Sequence, residues 1–151
     1  MFCFRRVLAV CMLMWAAGAA CAFSFSYGEF FDVKDVQNKD GILTMPLTNG
    51  VYKNVKILSK EMYGFLLHCP QECRYPVAKA GFESIDYRKA LTREGMLIAD
   101  VDFNQEIALT FLVFKNKDGF SVKVPESVIF KDKKLQKQVE KYLKELAGKI
   151  L

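Results

Sequence analysis

The chain's one histidine and two of its five cysteines fall within six residues of one another, in His68-Cys69-Pro70-Gln71-Glu72-Cys73. Two thiolates beside an imidazole form a soft donor set that suits Cu(I). The same two cysteines, in an oxidising compartment, form one local disulfide. Three intervening residues let the Cα atoms come within the ~5.5 Å that a disulfide prefers, provided the chain turns, and Pro70 restricts φ in the sense that helps it turn. A redox-active pair is usually Cys-x-x-Cys at a helix N-terminus, where the helix dipole stabilises a thiolate. Here the cysteines come at the end of a predicted helix, where the dipole opposes one. The spacing therefore favours a structural Cys69–Cys73 disulfide and no bound cofactor. A Cu(I) site at His68, Cys69 and Cys73 is the alternative.

That run resembles the H-C-P-x-x-C segment of the Sco-type copper-delivery family, whose members are thioredoxin-like. The resemblance covers these six residues and implies copper handling. The family also uses a second, distant histidine and a proline after the second cysteine. In this chain His68 is the only histidine and Arg74 follows Cys73. No parallel βαβ pattern surrounds the segment.

A second set of donors is Asp100-Val101-Asp102-Phe103-Asn104 with Glu106. It matches the opening of a Ca²⁺ loop but has Gln105 where glycine is needed for the turn and Phe111 where the bidentate glutamate belongs. Asp100 and Asp102 project from one face of a predicted strand. The expectation is a solvated strand face, or partners among the lysines of the C-terminal helix. With a single histidine no Ser-His-Asp or Cys-His triad can be assembled around a positioned base. HExxH, a glycine-rich phosphate loop and GxSxG are all missing from the sequence. No catalytic constellation is expected; paired carboxylates for glycoside chemistry stay open, in a chain that is small for a cleft enzyme.

The first 22 residues stand apart from the rest of the chain. Arg5 and Arg6 precede an apolar run from Val7 to Ala20, and Ala20-Cys21-Ala22 fits an A-x-A cleavage site, so residues 1–22 read as a secretory signal peptide and 23–151 as one domain. The apolar run is shorter than the ~20 residues of a comfortable membrane span. An uncleaved N-terminal anchor is the alternative. The general secretory route is expected over twin-arginine export, because the arginine pair begins almost at the terminus. Gly18-Ala19-Ala20-Cys21 also has the small residues of a lipoprotein signal, without the large aliphatic residue three places before the cysteine; acylation of Cys21 is a further alternative. Cys3, Cys11 and Cys21 lie in this leader, leaving Cys69 and Cys73 as an even pair. Losing Arg5 and Arg6 leaves 20 basic against 17 acidic residues, about +3 in place of +5. That balance is too modest to imply a nucleic-acid partner.

The stretch Met96–Val124 organises the rest. Leu97, Ala99, Val101 and Phe103 alternate with Ile98, Asp100, Asp102 and Asn104, predicting a strand with one wet face. Ile107–Phe114 is apolar at almost every position, as in a strand buried on both faces. Asn116-Lys117-Asp118-Gly119 turns into a third strand, completing an antiparallel meander. Upstream, Phe23–Phe31 holds five aromatic residues in nine, with Phe23, Phe25 and Tyr27 alternating. It reads as a packed first strand at a sheet edge, or as an exposed aromatic arm. Asp32–Gly41 is polar and ends in turn chemistry. Asn49-Gly50 between two β-patterned runs predicts a hairpin, with Pro46 placing its first strand at an edge.

Ser59 caps a predicted helix over Lys60–His68, followed by a loop from Cys69 to Gly81. Ser84 reads as the cap of a second short helix, Ile85–Leu91. Lys131–Ala147 carries one apolar stripe of Leu135, Val139, Tyr142, Leu143 and Leu146, with Gly148 as its stop. Its other face holds Lys133, Lys134, Lys137, Lys141 and Lys144. The expected fold is α+β: a small antiparallel sheet, shared by the N-terminal hairpin and the C-terminal meander, packed by the C-terminal amphipathic helix.

The corresponding expectation for function is an exported, non-enzymatic binding or assembly module of the bacterial periplasm or cell envelope, with a protein partner there. Two alternatives belong to other classes. One is a thiol- or copper-handling protein acting through His68, Cys69 and Cys73. The other is an accessory protein that lies on membranes through its basic C-terminal helix.

Overall fold

The computed structural model describes residues 21–48, 52–91 and 93–151. In chain order the strands and helices are β1 (Cys21–Tyr27), β2 (Phe31–Lys39), β3 (Ile42–Thr44), β4 (Leu47–Thr48), β5 (Tyr52–Lys53), β6 (Val55–Ile57), α1 (Lys60–Leu67), β7 (Glu72–Tyr75), β8 (Phe82–Lys89), β9 (Met96–Phe103), β10 (Ile107–Asn116), β11 (Gly119–Lys123), β12 (Val128–Phe130) and α2 (Lys133–Ile150). Of the leader expected over residues 1–22, residues 1–20 lie outside the described residues, as does the Asn49-Gly50 turn, while Cys21 and Ala22 begin β1 and pair with Asn38 and Gln37. The ladder that turn would close is present, with β4 antiparallel to β5.

The period-two aromatics of β1 form the inner face of one sheet. Phe23, Phe25 and Tyr27 are all buried, so this segment is a packed strand and not an exposed arm. It is also not at an edge: the order is β12-β2-β1-β7, with β3 paired to β2. The strand on its far side, β7, lies inside the stretch expected to be a loop, and it pairs parallel to β1, Phe25 opposite Cys73. The polar stretch after β1 is itself the strand β2. Phe23 pairs with Val36 but Phe25 with Val33, so two residues of β2 bulge opposite one of β1. Asp35 takes φ 59° in this bulge. The extra residue puts Val33 and Val36 both in the core three positions apart, which breaks the alternation a strand reading relies on. Asp40 and Gly41, at φ 52° and 79°, then form a two-residue hairpin loop to β3. Both central residues of that turn need positive φ, which Asp-Gly tolerates.

The meander forms a second sheet, ordered β11-β10-β9-β8, with β6 paired to the start of β10. β10 is buried on both faces through Val113, as its composition predicts. The chain is therefore α+β with largely antiparallel strands, and the strands of the expected hairpin runs divide: β3 joins the first sheet, β6 joins the meander's sheet, and β4 and β5 form a two-stranded sheet of their own. The residues expected as a second helix, Ile85–Leu91, instead belong mostly to β8, which pairs antiparallel with β9 through a bulge between Ser84 and Asp86. Ladder bonds to the central meander outweigh a weak local cap here. β9 has no wet face either: all eight of its residues are buried.

The inner faces of the two sheets share one core, in which Phe31, Phe103, Phe111 and Phe130 pack ring against ring. α1 begins at Ser59, whose Oγ accepts from Met62 N at 3.2 Å, and buries Met62 and Leu66. α2 is capped by Asp132, whose Oδ1 accepts from Leu135 N at 3.1 Å. It runs through Gly148 to Ile150, three residues past the expected last residue, Ala147. Of the expected stripe, Leu135, Val139 and Leu143 are buried against β10, β11 and β12, Leu146 is half-buried and Tyr142 is exposed, while Ala147 joins the buried face. No described helix is long and apolar enough to cross a membrane.

Candidate functional site

The cysteine pair comes together. His68 closes α1 through its backbone N–H, which donates to Phe65 O at 3.2 Å. The chain then turns through Pro70 into β7, bringing the sulfurs of Cys69 and Cys73 to 2.12 Å and their Cα atoms to 5.7 Å, disulfide distance. The bridge ties the end of α1 to the outer strand of the first sheet. Cys69 is buried and the His68 side chain is exposed. With the sulfurs joined, neither is a thiolate ligand, so copper binding would first require reduction. Among the described residues no three His, Cys, Asp or Glu side chains are grouped to hold a metal ion. Because the closed ring is short, Cys69→Ser with Cys73→Ser is expected to cost only about 1 kcal/mol and to leave the fold intact. Urea unfolding of the double variant, beside the parent with and without reductant, checks this.

The two aspartates are placed differently from expectation. Asp100 and Asp102 are 2% and 3% exposed, not solvated. Asp100 Oδ2 pairs with Lys56 Nζ at 3.0 Å and its Oδ1 accepts from Thr110 Oγ1 at 2.6 Å. The partner lysine thus comes from β6 and not from α2, because β6 joins the second sheet beside β10. Asp102 Oδ1 accepts from Gln105 N at 2.7 Å and so closes the β9–β10 turn. Burial raises the pKa of Asp102, the bond from Gln105 N opposes this, and Glu83 adds to it. A carboxyl whose folded pKa is raised costs stability in its charged form. That cost is present above the folded pKa and vanishes as pH falls below the unfolded value of ~3.9. Asp102→Asn keeps the acceptor for Gln105 N. It is expected to be more stable than the parent at pH 7, the two converging as pH falls through the carboxylate range. Thermal unfolding at stepped pH reads this directly.

A third polar cluster joins residues that stand far apart in the sequence. Tyr27 Oη donates to Glu106 Oε1 at 2.6 Å and accepts from Asn104 Nδ2 at 2.8 Å. Asn104 also donates to Lys79 O at 2.6 Å, and its Oδ1 accepts from Gly81 N at 2.9 Å. Tyr75 stacks on Tyr27. Burial, with Glu106 nearby, raises both phenols, Tyr75 to about 12. At neutral pH these tyrosines are therefore hydrogen-bond donors and not bases. The cluster clamps β1, the β9–β10 turn and the loop before β8; its chemistry is structural.

A further candidate is a groove whose lining is mostly apolar, with Lys56 as its charged residue. Leu43, Met45, Leu47, Val55, Ile57 and Tyr63 line a cavity of about 460 Å³ between the β3–β4 segment, β6 and α1. Pro46 interrupts the chain between β3 and β4, and Pro46 O accepts from Asn54 Nδ2 at 2.9 Å, which holds this wall against the start of β6. Tyr63 Oη accepts from Leu43 N at 3.0 Å and fixes the other end. Leu47, in the lining, is 46% exposed, and Ile42 and Leu58, which adjoin the lining residues Leu43 and Ile57 in sequence, are 64% and 43% exposed. No signal for this groove exists in any one segment, since its walls come from three elements.

Neither a protein-family model, nor a curated protein, nor a solved structure matches the chain.

Proposed function

We propose that this protein is an exported, non-enzymatic binding module of the bacterial cell envelope, and that the groove between β3–β4, β6 and α1 receives apolar side chains of a protein partner. The observation that carries the reading is the groove itself: a concave, mostly apolar surface with the exposed aliphatic side chain of Leu47 in its wall, the usual character of a recognition site. The leader pattern of residues 1–22 supports export. The aromatic segment Phe23–Tyr27 adds nothing to the reading, because its rings belong to the core. The polar clusters at Asp100 and Tyr27 are internally paired, and Lys56 of the first also lines the groove.

Site-specific photocrosslinking in the exporting cell tests this. A photoreactive residue at position 47, on the groove, is expected to give a discrete protein adduct. The same residue at Lys141, on the exposed face of α2, is expected to give none. No adduct from position 47, or equal adducts from both positions, would overturn the reading.

A further inference from the structure

The outer strand of the second sheet has a charge order that is complementary to itself. β8 closes that sheet on one side, with β9 as its only partner strand among the described residues. It carries Glu83 and Asp86 in its first half and Arg88 and Lys89 in its second. An edge protected against pairing usually carries lysines, a proline or a covering element. Acid first and base second does something else: it repels a parallel copy of the same strand and attracts an antiparallel one.

The backbone supports one register. Ala90 N donates to Met96 O at 2.9 Å, so alternation points the backbone groups of Arg88 inward to β9 and those of Tyr87 and Lys89 outward. Asp86 lies opposite Asp100 and Arg88 opposite Ile98, placing both on the same outer face, whereas Tyr87 lies opposite Ala99 on the other. Tyr87 is 50% exposed. Three central registers are open to a two-fold antiparallel pairing. Centring on Asp86 sets that carboxylate opposite its own copy, and centring on Arg88 does the same with two guanidiniums. Centring on Tyr87 sets Asp86 opposite Arg88 twice, at a non-hydrogen-bonded pair where side chains approach closest. It also makes Tyr87 a hydrogen-bonded pair with its copy, using the outward backbone groups, with the two half-exposed rings side by side.

We infer that β8 is a self-association edge: two copies of this chain pair antiparallel about Tyr87, joining their five-stranded sheets into one. Nothing in this pairing depends on the groove. A contact of one strand is small, so the dimer forms reversibly at micromolar to millimolar concentration. In the single chain Arg88 Nη1 already sits 3.5 Å from Asp86 Oδ2, both side chains more than half exposed. Pairing exchanges this contact for two across the interface.

Sedimentation velocity on the chain, over that concentration range, is expected to show a monomer–dimer equilibrium. Asp86→Arg and Arg88→Asp should each weaken it about tenfold, because each sets like charges opposite one another twice. The double swap should restore it. Tyr87→Cys is expected to oxidise to a covalent dimer, since the two copies of that position face each other. Lys89→Cys should not, because its partner is residue 85. The cysteine pair reports the register even where a charge reversal disturbs folding. A chain that stays monomeric at millimolar concentration overturns the inference. So does a dimer indifferent to both reversals, or covalent dimer formation equal at positions 87 and 89.

Discussion

Leu143→Ala lowers the unfolding free energy by about 3 kcal/mol, a large share of the 5–15 kcal/mol that holds a domain of this size together. Leu143 is fully buried in the stripe by which α2 covers the edge between the two sheets. Truncation removes its transfer free energy and leaves a cavity, and a helix pinned at Leu135, Val139 and Ala147 has little freedom to settle into it. Urea denaturation with an unchanged slope and a lower midpoint is the expected result. Lys144→Ala, one residue along on the exposed face, should stay within ~0.5 kcal/mol of the parent. An equal loss in both variants would mean that helix propensity, and not docking, sets the stability of α2.

This stripe is also what weighs against a membrane-surface role for α2. An amphipathic helix on a bilayer needs its apolar face free. Here Leu135, Val139, Leu143 and Ala147 of that face are buried in the domain, and the lysines meet solvent together with Gln138, Tyr142 and Glu145.

The elements legible in the sequence were those whose signals are local and agree with their surroundings. The Leu135–Leu143 stripe, the apolar run Ile107–Phe114, the Ser59 cap and the Cys69–Cys73 turn each carry their own geometry within a few residues. The misread elements are those in which a partner overrides the local pattern. The bulge at Lys34–Asp35 moves Val36 into phase with the core and hides β2 behind a polar composition. Asp100 reads as solvent-facing until β6 brings Lys56 beside it, 44 residues away in sequence. β8 looks helical from Ser84 onwards because its ladder partner β9 does not enter a local reading. The same reason hides the structural clamp, in which Tyr27 and Glu106 stand 79 residues apart, and the groove, which has walls from β3–β4, β6 and α1. Aliphatic residues at Leu43, Met45 and Ile57 look like ordinary core until the fold leaves the space between them open.

Gly28→Ala should cost about 3 kcal/mol, a large effect for one added methyl group. Gly28 lies between β1 and β2 at φ +53°, where an L side chain costs roughly 1–2 kcal/mol by itself. Its N–H donates to Tyr75 O at 2.9 Å, so the turn is held tightly against the end of β7. A Cβ there would stand 2.9 Å from Val77 O and 3.0 Å from Val77 Cβ. The first of these is a backbone atom, so relief requires moving the chain after β7 and not merely rotating a side chain. Movement there strains the stacked Tyr27–Tyr75 pair and the clamp of Tyr27 on Glu106, which the same segment supports. Gly41→Ala is the control. Gly41 has φ +79° but nothing within 4 Å of an added Cβ, so it carries the conformational cost without the collision. The difference in unfolding free energy between the two alanine variants isolates the close approach of the β1–β2 turn to Val77. Equal losses would show that the turn and the segment after β7 separate without resistance.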